Sequence, residues 1–265
     1  MHNILRVVFR ASGRYNGGDT ARGGKQTMKI LVDTHTHTIA SDHAYSTILE
    51  NAAAAARAGL EGLAVTDHTP PLSDAPDMMH FQNLRVVDRT LEGVTILRGA
   101  ELNICDARGS FGIPDDALRE LDYCIASIHT ILYKSPDPAE NLRAYQGAME
   151  DARVKIIGHP EDGRAPVDFF ALARAARDAG VLIEVNNSSL RPISYRQNTR
   201  ENMTALLRAC EDCGAHVCLG TDAHFAPAVG RFEESLTLLE ELHFPEELVA
   251  NTSLQKFLDL IRRRS

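Results

Sequence analysis

Short apolar runs alternate with helical stretches along the chain from about residue 29 onward. Ile30, Leu31 and Val32 form the first run, bounded by polar residues, and predict a buried strand over 29–33. A helix is expected over 47–58, with Ser46 as N-cap, an alanine-rich middle and Gly59 in the left-handed C-terminal position. A strand at 63–65, a proline-containing loop, a weaker helix near 79–91 and a strand at 94–97 follow. Strand 123–128 leads to a helix announced by Asp137 as N-cap, Pro138 at N1 and Glu140 at N3. Strand 154–157 precedes a helix at 167–179 that closes on Gly180. Strand 181–185 precedes a helix opened by Asn198 and Glu201 and closed near 213 by Gly214. Strand 216–219 and two helical stretches, near 233–242 and 245–263, end the pattern.

Such alternation means a parallel sheet with helices on its faces. Seven units fit either a closed, somewhat irregular barrel or an open doubly wound sheet. In both, chemistry gathers at the C-terminal ends of the strands. Residues 1–28 stand apart, with five basic residues against one acid and two Gly-Gly pairs. They read as a disordered or atypical N-terminal extension with no function of its own, so that the domain runs over 29–265. An Arg-rich, acid-poor tail also fits a transit peptide, while its apolar run is too short for a signal peptide.

Composition narrows the function. The net charge of −8 argues against a long nucleic-acid partner, which would call for excess Lys and Arg. It leaves a small phosphorylated substrate open, because bound divalent metals would reverse the local sign. No apolar stretch is long enough for a membrane span. The five cysteines, without a secretory signal, fit free thiols in a cytoplasmic protein, and Cys210 and Cys213 read as two ordinary helix residues. The oligomeric state is not readable.

The candidate chemistry lies at the strand ends. His35 and His37, two apart on an extended segment, can aim both imidazoles at one point. With 11 histidines in 265 residues a lone His-x-His has an even chance of arising at random. Position decides instead: six of the seven strand ends deliver His, Glu or Asp, namely His35 with His37, His68, Glu101, His129, His159, and Asp222 with His224, while the seventh delivers Asn186. His2, His80, His216 and His243 fall elsewhere and read as hydrogen-bonded or surface residues. With His43 there are nine candidate ligands, seven His, one Glu and one Asp. At about three protein ligands per open catalytic site, that number points to three metals, or to two with a looser periphery. Nitrogen-rich ligation without thiolate suits Zn2+, Mn2+ or Fe2+ rather than magnesium or calcium. A cluster of this kind can activate water near neutral pH and clamp the oxygens of an in-line phosphoryl displacement.

These residues resemble the motifs of the PHP (polymerase and histidinol phosphatase) superfamily: His35-Thr36-His37, Thr66-Asp67-His68, His159-Pro160 and Asp222-Ala223-His224. The resemblance is nearer to its YcdX-type phosphatases through Ser41 to Ser46, Phe81-Gln82-Asn83, Leu97 to Glu101, Glu184 to Ser189 and Gly230 to Glu234, and it spans about 29–262. It implies a distorted (β/α)7 barrel of parallel strands holding a trinuclear zinc site. His35, His37, Glu101 and Asp222 would bind one metal. Glu101 would bridge to a second held by His129 and His159, and His43, His68 and His224 would hold the third. Thr130 departs from the acidic residue expected after His129. The implied activity is hydrolysis of phosphomonoesters of small molecules, with a phosphodiesterase or exonuclease, or a histidinol phosphatase, as alternatives on the same cluster. A metal-binding regulatory module without turnover is the alternative of a different class. Asp67 is the candidate for orienting an imidazole without touching the metal. Asn187, Ser188 and Arg196 are candidates for contact with phosphate or substrate, Arg196 reading more readily as a solvated loop charge.

Overall fold

A computed structural model describes residues 28–114 and 118–262. The expectation for the N-terminal extension therefore lies, for residues 1–27, outside the described residues. Eight strands form one sheet. They are β1 (Val32–Asp33), β2 (Gly62–Val65), β3 (Thr90–Leu91), β4 (Val94–Asn103), β5 (Tyr123–Ser127), β6 (Val154–Gly158), β7 (Leu182–Asn186) and β8 (Val217–Gly220). Seven run parallel in the order β1-β2-β4-β5-β6-β7-β8, and β3 hangs antiparallel on β4. The helices between them are α1 (Ile48–Arg57), α2 (Met78–Asn83), α3 (Pro138–Ala148), α4 (Phe169–Ala179), the single turn α5 (Asn187–Leu190), α6 (Thr199–Cys213), α7 (Glu233–Leu242) and α8 (Leu254–Arg262). Among the described residues no helix is long and apolar enough to cross a membrane.

The sheet nearly closes into a barrel, which decides between the two architectures the sequence left open. At the top, beyond β1 and β8, Thr36 pairs with Ala223 in parallel. Asp222 N donates to His35 O at 2.8 Å and His37 N donates to Ala223 O at 2.9 Å. At the bottom the two strands are joined through a side chain. Asn251, fully buried, donates to Val32 O and Leu219 O, both at 2.8 Å, and accepts from Leu219 N at 3.1 Å.

Alternation along the strands sorts residues between two cores. On β5, Tyr123 and Ile125 face the barrel interior with Val32, Ala64, Leu97, Ile156, Leu182 and Cys218. Cys124 and Ala126 face the helical layer. Phe257 and Ile261 of α8 plug the interior from below. Inward parity on β4 runs from Leu97 through Gly99 to Glu101 and Asn103, so the site begins where the apolar interior ends.

Several elements differ from expectation. Thr47, not Ser46, caps α1, in a capping box with Glu50. Ser46 is buried and accepts from Ala226 N instead. The helix expected over 79–91 stops after α2 and one 3-10 turn (Leu84–Val86), because Glu92 and Gly93, both at positive φ, turn the chain into the β3–β4 hairpin. Strand three reaches Asn103, six residues past its expected end, and carries Glu101 within it. Residues 245–253 form 3-10 turns that deliver Asn251, and the last helix begins only at Leu254. Cys210 and Cys213 are two unpaired residues of α6, as read.

Replacing Asn251 by Ala should lower stability by roughly 2–4 kcal/mol, because three buried backbone groups lose their partner. Urea unfolding checks this, and a change below about 0.5 kcal/mol would refute Asn251 as the clasp between β1 and β8.

Candidate metal centre

All seven strand ends open onto one face, where the nine candidate ligands form a continuous cluster. Glu101 sits at its centre, completely buried. Its Oε1 lies 2.9 Å from His159 Nε2 and 3.3 Å from His129 Nε2. Its Oε2 lies 2.8 Å from His68 Nδ1, 3.3 Å from His35 Nε2 and 3.6 Å from His37 Nε2. One carboxylate thus faces two separate sets of imidazoles. Asp222 is also divided. Oδ1 lies 3.2 Å from His37 Nε2 and 3.7 Å from His35 Nε2, while Oδ2 accepts from Arg196 Nη2 at 3.1 Å and Asn186 Nδ2 at 3.2 Å. At the outer edge His43 Nε2 and His224 Nε2 stand 2.8 Å apart, and the His43 and His68 rings stack at 5.1 Å.

Four of these imidazoles are held by the nitrogen that points away from the cluster. His35 Nδ1 is 2.7 Å from Glu184 Oε1, His129 Nδ1 is 2.6 Å from Asn103 Oδ1, His43 Nδ1 is 2.7 Å from Asp74 Oδ2, and His224 Nδ1 is 2.9 Å from Asp222 O. Each such contact places a proton on Nδ1 and turns Nε2 toward the centre, the orientation a metal ligand requires. Glu184 does more. Its Oε2 accepts from His159 N at 2.8 Å and Asn186 Nδ2 at 3.1 Å, so one carboxylate fixes three strand ends. Gly220 makes room for it: a Cβ there would stand 2.3 Å from Glu184 Oε1 and 2.7 Å from His35 Cβ. His159 and Asp222 both adopt positive φ, at 31° and 52°, conformations that cost non-glycine residues about 1–3 kcal/mol and occur where a site fixes a side chain's direction.

The electrostatics follow from the crowding. Burial alone would raise the Glu101 carboxyl, but the imidazoles of His129, His35 and His68 hold it well below the usual carboxylate range. Burial likewise opposes ionisation of Asp222, and His35, His37 and Arg196 reverse that effect. Burial pushes His129 down to about 4. Burial also disfavours the charged form of His35, yet Glu184, Glu101 and Asp222 together raise it well above the ordinary histidine value. Burial lowers His37 well below that value, reinforced by His224 and His68.

The cluster suits cations better than its own internal hydrogen bonds. Glu101 Oε2 and His68 Nδ1 are 2.8 Å apart, buried, and lack the alignment of a hydrogen bond, so both are without a partner. His37 Nδ1 and His159 Nδ1 are buried and unpartnered as well. His35 Nε2 and His37 Nε2 stand 3.0 Å apart, two ring nitrogens turned to the same point. Three triads bring ligand atoms within metal-binding reach of one another: His35, His37, Asp222; His68, Glu101, His129; and His37, His68, His224. Nitrogen and carboxylate donors without thiolate fit zinc, manganese or iron.

Asp67 does hold an imidazole, but it is that of His80, at 3.2 Å. Its oxygens also accept from Thr38 N, Thr38 Oγ1 and Ser41 Oγ, at 2.7–2.9 Å, so it braces the turn leading to His43. Arg196 corrects the reading as a solvated charge. Its side chain is buried, bonded to Asp222 Oδ2 and to Ser189 Oγ at 2.9 Å, because the loop after α5 folds back over the strand ends. Asn187 accepts from Ser235 N and secures α7, whereas Ser188 lines the cleft. Glu184, Asn103 and Asp74 are positioning residues beyond the sequence candidates. For Glu184 and Asn103 the inward parity shared with Glu101 and Asn186 was the available signal; for Asp74, in an irregular loop, there was none.

Replacing Glu184 by Gln keeps the volume but turns an NH2 group toward donors that the carboxylate accepts from. Metal affinity should fall about 10–100-fold, measured by competition with a zinc chelator, and unchanged affinity would remove Glu184 from this role.

Comparison with known proteins agrees with the geometry. Residues 33–188 match the PHP domain family. The chain is 40% identical over 242 residues to a probable phosphatase of Caldanaerobacter subterraneus, covering 91% of this chain and 94% of that one. It is 42% identical over 237 residues to a probable phosphatase of Acetivibrio thermocellus, covering 89% and 97%. Among solved structures, the histidinol phosphate phosphatase of Lactococcus lactis, determined with zinc, L-histidinol and phosphate, superposes with a TM-score of 0.57 at 18% identity, covering 81% of this chain and 94% of that one; this likeness concerns the fold. With the family matched over more than half of the chain and close relatives aligned over nearly all of it, the chain belongs to the PHP domain family and is a metal-dependent hydrolase of phosphate esters.

Proposed function

We propose that this hydrolase is a phosphomonoesterase for small molecules that works with three metal ions, of which zinc is the best fit. The observation that carries the reading is the division of Glu101: two oxygens of one buried carboxylate, each turned to a different set of imidazoles. His35, His37 and Asp222 would share one ion with Glu101 Oε2. His129 and His159 would hold a second against Glu101 Oε1. His43, His68 and His224, at the outer edge, would hold the third.

Bound metals would supply Lewis acidity and a water made nucleophilic at neutral pH. The chain's own residues supply the rest. Glu184, Asn103 and Asp74 keep Nε2 lone pairs of His35, His129 and His43 turned inward. Arg196 and Asn186 hold Asp222 Oδ2, so that Oδ1 stays toward the imidazoles. The cleft above, about 960 Å³, is large enough for a small organic phosphate. The net charge of −8 favours a small substrate over long nucleic acid. The unpaired thiols support a reducing compartment such as the cytoplasm.

Purified protein loaded with zinc or manganese should release p-nitrophenol from p-nitrophenyl phosphate, lose that activity to a chelator, and carry three metal ions per chain by elemental analysis. Glu101→Gln should lower turnover by more than ~100-fold, beyond the effect of residues that only orient a ligand. Faster cleavage of bis(p-nitrophenyl) phosphate would make it a diesterase instead, and no turnover with zinc, manganese or iron would defeat the proposal.

A further inference from the structure

Half of the large apolar side chains exposed among the described residues surround one cleft. Ten such side chains are exposed, and five of them, Tyr45, Ile131, Ile193, Tyr195 and Phe225, line the cleft over the imidazoles. Exposed apolar residues scattered singly need no explanation, whereas a cluster at the mouth of a binding cleft marks what a ligand covers. A volume of about 960 Å³ far exceeds a phosphate group and leaves the apolar walls free to meet the organic part of the ester.

Tyr195 is the one of the five with guanidinium groups against its ring among the described residues. The guanidinium of Arg164 lies 4.9 Å from its ring centroid and that of Arg196 lies 5.4 Å from it. Both cations are themselves anchored, Arg164 to Asp162 and Arg196 to Asp222. Tyr195 nevertheless remains 68% exposed. A ring held at its position by anchored cations and open to the cleft is a platform for another flat ring.

Arg191 lines the same cleft and differs from the other two arginines. It is exposed, and among the described residues its side chain forms no hydrogen bond or ion pair. Arg164 and Arg196 are neutralised by carboxylates, so Arg191 is the cleft arginine left to meet an anion. Its planar fork suits a carboxylate or a phosphate.

Resting on the phosphatase reading above, we infer that the organic group of the substrate is a flat aromatic ring that stacks on Tyr195 and bears a second anionic group taken by Arg191. The reaction is ordinary ester hydrolysis: water bonds to phosphorus, the ester P–O bond breaks, and the ring-bearing group leaves as its alcohol with a proton. The class is therefore a doubly anionic aromatic phosphomonoester rather than a sugar or polyol phosphate.

Three esters with comparable alkyl leaving groups test this: propyl phosphate, 2-phenylethyl phosphate and 2-(4-carboxyphenyl)ethyl phosphate. In the metal-loaded full chain, kcat/KM should rise about tenfold from the first to the second and about tenfold again to the third. The ring's advantage should shrink in Tyr195→Leu and persist in Tyr195→Phe. The carboxylate's advantage should vanish in Arg191→Ala. Thermal unfolding of each variant is compared with the parent, and the wild-type ester series needs no variant at all. Equal kcat/KM for the propyl and phenylethyl esters, or a ring advantage that survives Tyr195→Leu, would overturn the stacking platform. A carboxylate that brings no gain, or a gain that survives Arg191→Ala, would overturn the second anion site. Either result leaves the phosphatase reading standing, whereas failure to hydrolyse any of these esters or p-nitrophenyl phosphate would remove both.

Discussion

A carboxylate shut off from bulk solvent and enclosed by five imidazoles is the condition that the upper half of this barrel is built to satisfy. Glu101 is fully buried, and an ionised carboxylate in that setting is tolerable only with positive charge or strong donors close by. Histidine supplies both possibilities, as a cation itself or as the ligand of one. The strand geometry places Glu101 in the same inward column as Leu97, two pleats above the apolar interior. Everything that surrounds it, from the His35–Glu184 contact to the Asp222–Arg196 pair, keeps the neighbouring groups turned the right way.

That outward support is arranged consistently. For His35, His43, His129 and His224 the outer nitrogen meets a carboxylate, an amide oxygen or a backbone carbonyl, so the inner nitrogen faces the centre. Glu184 links this arrangement to the fold, since it also accepts from His159 N and therefore ties β6, β7 and the end of β1 together. The closing of the barrel acts on the same point: the His35 and Asp222 backbones bond directly, which brings two segments that carry candidate ligands, from opposite ends of the sequence, into contact.

Much of the fold was legible because local physics produces it. The 2-residue and 3.6-residue periods, the Asp137-Pro138 helix start and the glycines at 180 and 214 describe elements whose reasons are local, and these appear where expected. The misreadings have tertiary causes. Ser46 looked like a cap but is drawn to Ala226, and the stretch near 79–91 looked helical until Glu92 and Gly93 turned it into a hairpin. Arg196 looked like a solvated loop charge because sequence carries no sign that its loop returns over Asp222.

By itself the sequence determined which residue types stand at the ends of seven strands, and hence that histidines and two carboxylates must converge if those strands are parallel. Tertiary structure alone decided that the sheet closes, with Asn251 joining β1 and β8 below and Thr36 meeting Ala223 above. It also decided which oxygen of Glu101 faces which imidazole and which partner fixes each ring. The reason is physical: strand parity is a property of neighbours in the chain, whereas the direction of a buried imidazole depends on groups as far away as residue 184 is from residue 35.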